Sequence, residues 1–268
     1  MDLQIGQVLV PTYGWAMVGL SYLIACAGSL VALLCARRMF RADGRLDGAM
    51  AGAAAVALGG IGIWSMHFIG MVAYALPVRV VYDVPLTALS LVAAILISGL
   101  SLYLAGRGRR RFSRMGWLAG SVLAGLGVCV MHYMGMFAMN MRASMDFDLQ
   151  RVALSVVIAI AAAAAALWLA FNLSRLVHQI AAAAVMGLAV CAMHYVGMSA
   201  ATMVCTAAAP PAGWVLGGST LGLMVFGLAG GVLLLIGWIA SERTIEDATQ
   251  EVADPFAAAA NSRLGMLR

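Results

Sequence analysis

Seven stretches of this chain are long and apolar enough to cross a lipid bilayer: residues 14–35, 48–75, 85–105, 116–139, 152–174, 179–203 and 217–240. A hydrocarbon core about 30 Å thick takes roughly 20 residues of α-helix. Inside it, backbone N–H and C=O groups must be paired within a helix or a closed barrel. Barrel strands would be about half as long and would alternate apolar with polar residues, so each stretch reads as a helix. Together they nearly exhaust the 268 residues, which leaves no room for a separate soluble domain. Composition agrees: 10% of the residues are charged and 64% hydrophobic, whereas a water-soluble domain carries about 25% charge. The first stretch starts too late, with too little basic charge before it, to be a cleaved leader. The one charge before Tyr13 is Asp2. The expected fold class is all-α, a polytopic membrane bundle of seven transmembrane helices over residues 1–240, with a tail over 241–268.

Charge is placed unevenly along this chain, which has no Lys. The first loop carries Arg37, Arg38, Arg41 and Arg45, and the third Arg107, Arg109, Arg110, Arg111 and Arg114. The fifth has Arg175, and the tail Arg243, Arg263 and Arg268. The intervening loops hold Arg79, Arg142 and Arg151. Basic residues concentrate in cytoplasmic loops, so the N-terminus is expected outside and the C-terminus in the cytoplasm. The net charge of +5 arises at helix ends, where it reads as topology and contact with anionic lipid; nucleic acid is not an expected partner. Of the five Cys, Cys26, Cys35, Cys129 and Cys191 fall inside helices and Cys205 lies near the outer surface. No disulfide framework is legible.

The chain also repeats itself. Residues 64–71 read Trp-Ser-Met-His-Phe-Ile-Gly-Met, residues 129–136 Cys-Val-Met-His-Tyr-Met-Gly-Met, and residues 191–198 Cys-Ala-Met-His-Tyr-Val-Gly-Met. The spacing from His67 to His132 and then His194 is one helical hairpin each time, which predicts three hairpins (about 14–76, 85–141 and 152–205) and a seventh, unrepeated helix. Each motif falls in the outer part of an even-numbered helix, so all three arrive at one depth. Residues i and i+4 share a helix face, which stacks His67 with Met71, His132 with Met136 and His194 with Met198. A Gly recurs seven residues before each His (Gly60, Gly125, Gly187) and another three after (Gly70, Gly135, Gly197). Small residues let helices approach closely in lipid, so each even helix is expected to turn one Gly-His-Gly-Met stripe toward a neighbour.

Intramembrane His residues face a bundle interior and mark function. Imidazole suits copper, zinc and iron, and thioether sulfur selects soft Cu(I). The expected metal ligands are therefore His67, Met71, His132, Met136, His194 and Met198, with copper favoured over zinc. Met66, Met131 and Met193, one residue before each His, are additional candidates, as are Met139, Cys129 and Cys191. A thiol buried without a cation stays protonated. The competing reading is a polar core that merely locks three hairpins together. His178 stands outside every motif, Asp83 reads as a helix-start acid facing the dipole, Asn140, Asp146 and Asp148 as solvated loop residues, and Asn172 and Ser174 as helix-end residues. There is no Gly-rich phosphate loop, no Gly-x-Ser-x-Gly elbow and no pair of carboxylates within a span, so an enzyme is not expected.

The three motifs resemble the MHYT family, bacterial integral-membrane sensor domains named for Met-His-Tyr-Thr. The second and third copies keep Met-His-Tyr, at 131–133 and 193–195; Met134 and Val196 stand at the family's Thr, and the first copy has Phe68 and Ile69. The resemblance covers about residues 10–240 and includes the Leu-Pro…Tyr-Asp loop at 76–83. It implies a bacterial inner-membrane protein with copper held by motif His and Met near the outer face. It also implies sensing of a diatomic ligand (oxygen, carbon monoxide or nitric oxide) or of redox state. Family members are often fused to cyclic-di-GMP synthase and phosphodiesterase, kinase or DNA-binding domains. None follows the seventh helix here, so the resemblance leaves a stand-alone member acting through a cytoplasmic signalling partner, or a piece of a larger protein; an oligomer is compatible with either. The rival functions are a copper carrier or storage protein, which expects ligands staggered through the membrane, and a haem or copper membrane oxidoreductase, which expects an electron route and acid–base groups.

Overall fold

The computed structural model describes residues 4–41, 44–107, 113–173, 175–207 and 213–253. Asp2, Arg109, Arg110, Arg111, Ser174, Arg263 and Arg268, named above from the sequence, lie outside the described residues. Among the described residues there are seven helices: α1 (Trp15–Arg37), α2 (Gly48–Ala73), α3 (Val84–Gly106), α4 (Arg114–Phe137), α5 (Leu149–Asn172), α6 (Leu176–Ser199) and α7 (Gly218–Ala253). Each of the first six, and Gly218–Ile236 of α7, is long and apolar enough to cross a membrane. The chain is thus a multi-pass membrane protein. Packing divides it into two units, Met1–Ala229, which holds α1–α6 and the start of α7, and Gly230–Arg268, which holds the rest of α7.

Helix starts follow their caps. Asp47 accepts from the backbone N–H groups of Ala49 and Met50, Asp83 from Leu86, Ser113 from Gly116, and Asp148 from Gln150 and Arg151. Each satisfies donors that the first turn leaves unpaired. Asp83 and Asp148 therefore act as N-caps, and Asp148 also meets the Arg151 guanidinium at 3.5 Å.

Six helices close into a ring. α1 packs on α2 and α6, α3 on α2 and α4, and α5 on α4 and α6. The even helices carry the His motifs, so one ring of alternating helices brings three motifs toward a common centre. Within α2 the residues Val56–Ser65 are wound as a π-helix, and the Ser65 hydroxyl donates to the Gly60 carbonyl at 2.8 Å. The Gly-rich sequence of this segment lets backbones touch: a Cβ at Gly28 of α1 would fall on the backbone of Gly62.

The segments between hairpins, expected as outer loops, are strands. The strand before each odd helix pairs antiparallel with the strand after its own even helix. β2 (Thr12–Tyr13) pairs with β3 (Tyr74–Ala75), β4 (Val81–Asp83) with β5 (Met139–Asn140), and β6 (Ala143–Phe147) with β7 (Ala201–Cys205). β1 (Val8–Leu9) adds to β7, and β8 (Val215–Gly217) adds to β4. Non-helical backbone at a membrane surface must pair somewhere, and these strands pair it. Asn140 and Asp146 accordingly lie in strands, with Asp146 exposed. α4 ends at Phe137, so Met139 does not extend the helical stripe; it is buried in β5 opposite Tyr82.

Candidate metal centre

The three motif histidines meet. The Nδ1 atoms of His67 and His194 are 3.0 Å apart, those of His132 and His67 3.1 Å, and those of His194 and His132 3.3 Å. All three side chains are buried, at 1%, 0% and 0% exposure. The rings stand nearly perpendicular to one another, at interplanar angles of 78°, 87° and 87°.

Three neutral imidazoles cannot satisfy this triangle. Between two rings, one Nδ1 donates a proton and the other accepts it; the third must repeat one of those roles. At least one edge then sets lone pair against lone pair or N–H against N–H. A cation resolves the conflict, because all three lone pairs then share one partner. The triangle has the right size: its centroid lies about 1.8 Å from each nitrogen, slightly less than the roughly 2.0–2.1 Å of a zinc–imidazole bond. The three Nδ1 atoms could therefore hold one metal ion between them. Among the described residues, His67, His132 and His194 form the one group of three or more His, Cys, Asp or Glu whose ligand atoms converge.

The outward nitrogens explain one set of glycines. The Nε2 edge of His67 lies against Gly135, that of His132 against Gly197, and that of His194 against Gly70. The contacts run cyclically from α2 to α4 to α6 and back to α2, and at each one a Cβ would overlap the imidazole. All three Nε2 atoms are buried and have no hydrogen-bond partner among the described residues. The glycines seven residues before the histidines do a different job, which corrects the single stripe expected from spacing. Gly125 packs on Ile160 of α5, Gly187 on Cys26 of α1, and Gly60 near Ile95 of α3. The −7 and +3 positions are about 80° apart around a helix, enough for one to face the ring and the other the centre.

The residue after each His, or a stand-in for it, ties the centre to the ring. The Tyr133 hydroxyl pairs with the Ser155 hydroxyl of α5 at 2.9 Å, and that of Tyr195 with Ser21 of α1 at 3.1 Å. The first copy has Phe68 and lacks the hydroxyl; there the Trp64 indole N–H donates to Ser90 of α3 at 2.9 Å. Each Ser also donates to the carbonyl three residues earlier. Sequence reasoning missed Ser21, Ser90 and Ser155. The signal was present, since each is the seventh residue of its odd helix.

The remaining candidates divide. Met71, Met136 and Met198 are buried one turn beyond their histidines. Met66 packs with Cys191 and Ala25, and Met193 with Cys129 and Ala159, in apolar clusters; Met131 is fully buried. Cys129 and Cys191 do not join the histidine triangle, and all five cysteines are free thiols. His178 is exposed in the first turn of α6. Tyr13 meets Tyr74 and Tyr195 edge-on. Burial, with Tyr13 alongside, pushes Tyr74 up to about 12, and burial also raises Tyr13 and Tyr82. These hydroxyls stay neutral at physiological pH.

Comparison with known proteins gives matches to the MHYT model, described as a bacterial signalling protein N-terminal repeat, over residues 60–117 and 125–183. The chain is 40% identical over 201 residues to the bifunctional diguanylate cyclase/cyclic di-GMP phosphodiesterase MucR of Pseudomonas aeruginosa, covering 72% of this chain and 29% of that protein. It is 36% identical over 208 residues to the cyclic di-GMP phosphodiesterase NbdA of the same organism, covering 74% and 26%. Similarity to the signaling protein YkoW of Bacillus subtilis is 34% over 199 residues, covering 71% and 24%. The chain thus spans less than a third of each of these relatives. No solved structure matches it.

Proposed function

This chain belongs to the MHYT family of bacterial signalling proteins, and from that premise we propose that it is a membrane-embedded sensor whose buried His67, His132 and His194 hold one copper ion. The convergence of the three Nδ1 atoms within 3.3 Å carries the reading. Copper is favoured over zinc on charge. Among the described residues no carboxylate or thiolate joins the converging group, and desolvating a dication costs about four times what a monocation costs in the Born limit. A monovalent soft ion suits neutral imidazoles, and the thioethers of the buried Met71, Met136 and Met198, one turn along the same helices, are soft donors of the matching kind. When bound, the ion would offer an open coordination position to a small diatomic ligand, or a one-electron change of state.

The chain's own residues supply the coupling. Each imidazole is seated on a neighbouring even helix at Gly70, Gly135 or Gly197, and each motif is tied to an odd helix at Ser21, Ser90 or Ser155. A displacement of one ring therefore pushes on the whole six-helix ring, a two-state packing that a ligand can bias. The arginine pattern supports an outside N-terminus and a cytoplasmic α7 end. Output then passes to a cytoplasmic domain or partner, as the names of the cyclase and phosphodiesterase relatives suggest.

A copper relay is less well supported, since no second group of three such ligands converges among the described residues. Haem is disfavoured too, because imidazoles this close leave no gap for a macrocycle between them. The test is infrared spectroscopy of the copper-loaded, reduced protein under carbon monoxide. A single C–O stretching band that disappears in His194→Ala supports the reading; no band in the loaded wild type contradicts it.

A further inference from the structure

Helix α2 holds one residue more between its start and its histidine than the other motif helices do. His67 stands 19 residues after Gly48, whereas His132 stands 18 after Arg114 and His194 18 after Leu176. The glycines report the same surplus independently. Gly125 lies against Ile160 of α5 and Gly187 against Cys26 of α1, each seven residues before its histidine, and Ile160 and Cys26 are each the twelfth residue of their helix. The twelfth residue of α3 is Ile95, and there the close approach is made by Gly59, eight residues before His67. A Cβ on Gly59 would fall on the backbone of Ala94 and Ile95, whereas one on Gly60 would meet side-chain tips at ordinary van der Waals distance. The surplus therefore lies between Gly59 and His67, where Val56–Ser65 is wound as a π-helix. The wider turn closed by i→i+5 hydrogen bonds takes up an extra residue, and His67 thereby keeps its place beside His132 and His194.

We propose that the π-wound segment of α2 is a register switch: an ion on His67 holds the surplus residue in the π winding, and loss of the ion lets the segment relax toward α-helix and draw His67 out of the triangle. The inference rests on the sensor reading and names the moving part within it. π winding is rare and concentrates at functional sites, so a ten-residue stretch of it needs support from outside the backbone. A shared ion supplies that support at one end. Full relaxation would advance every residue beyond the segment by one position of α-helix, about 100° of turn and about 1.5 Å of rise. A triangle whose nitrogens lie within 3.3 Å of one another does not survive even part of that turn. The moving end of α2 also reaches the last helix, since a Cβ at Gly222 of α7 would meet Val72. A change at His67 thus arrives at the helix that leads out of the bundle. The two windings are the two states whose balance a ligand shifts.

The chain's Gly-Ile peptide bonds are 60–61 and 62–63, both inside the segment. Solid-state NMR of the full chain in lipid, labelled with carbonyl-13C Gly and 15N Ile, therefore reads this segment alone. Stripping Cu(I) from the wild type should move both signals. Deleting Gly60 removes the surplus and leaves Gly59 seven residues before the histidine, as in α4 and α6; that variant should still bind one Cu(I), and its signals should no longer respond to the ion. Deleting Leu126 from α4, which has no surplus, should abolish Cu(I) binding. Wild-type signals that ignore Cu(I) overturn the proposal. So does a Gly60 deletion that loses Cu(I) as the Leu126 deletion does, or one whose signals still follow the ion. A wild type that takes up no Cu(I) overturns the sensor reading together with this one, whereas the other results, obtained with Cu(I) bound to the wild type, overturn this one alone.

Discussion

The Nε2 edge of His67 occupies the space that any side chain at Gly135 would need. A helix-borne imidazole is seated on the bare backbone of the next motif helix, and the same relationship recurs twice around the ring. Gly135→Ala should therefore push His67 off the triangle. The expected outcome is destabilisation of about 1–3 kcal/mol, typical of overpacking, together with lost metal retention. Thermal unfolding and metal content of the purified variant check both, and the neighbouring Gly125→Ala, whose Cβ meets Ile160 instead, should destabilise while sparing the metal more.

The serine ties give a second prediction. Removing the Trp64 N–H with Trp64→Phe should cost about 1 kcal/mol, the net worth of one hydrogen bond. Adding Phe68→Tyr to that variant should recover part of it, because Ser90 then meets a hydroxyl as Ser21 and Ser155 do. Tyr133→Phe and Ser155→Ala, measured singly and together by chemical denaturation, should be non-additive by a similar amount.

These ties also show where sequence and structure part. The apolar runs placed the first six helices and the start of the seventh to within a few residues, because a bilayer core imposes a length; the seventh helix runs on to Ala253, past the apolar run that ends at 240. The triple motif named the three imidazoles that converge. The strands were illegible: they are two to five residues long and pair with segments a hairpin away, so local pattern does not mark them. The division of labour between Gly125 and Gly135 was hidden as well, since both fit one apolar face until the neighbours are known. Ser21, Ser90 and Ser155 lie on the odd helices, outside every motif, so the repeat does not mark them.

Soft-metal preference gives a third prediction. Met71→Leu, Met136→Leu and Met198→Leu are close to volume-conserving and should cost less than about 1.5 kcal/mol each. With all three in place, the fold should persist while the preference for Cu(I) over Zn(II) falls, as read by competition with a Cu(I) chelator.

Tyr74 gives a pH prediction. Its pKa is raised from 10.0 to about 12 in the folded chain by burial, so the fold holds its proton more tightly than the unfolded chain does. Stability from this group is complete below about pH 10 and is lost as pH rises toward 12. Ultraviolet titration at the phenolate band should show one late-ionising tyrosine that disappears in Tyr74→Phe. That variant should also unfold less steeply in alkali.

The most direct measurement is the metal content of the chain purified without chelators, beside a variant carrying His67→Ala, His132→Ala and His194→Ala. Three imidazoles sharing one ion predict about one copper per wild-type chain and none in a variant that remains helical and monodisperse. A wild-type chain that retains no metal after loading with Cu(I), or a variant that keeps as much copper as the wild type, would contradict it.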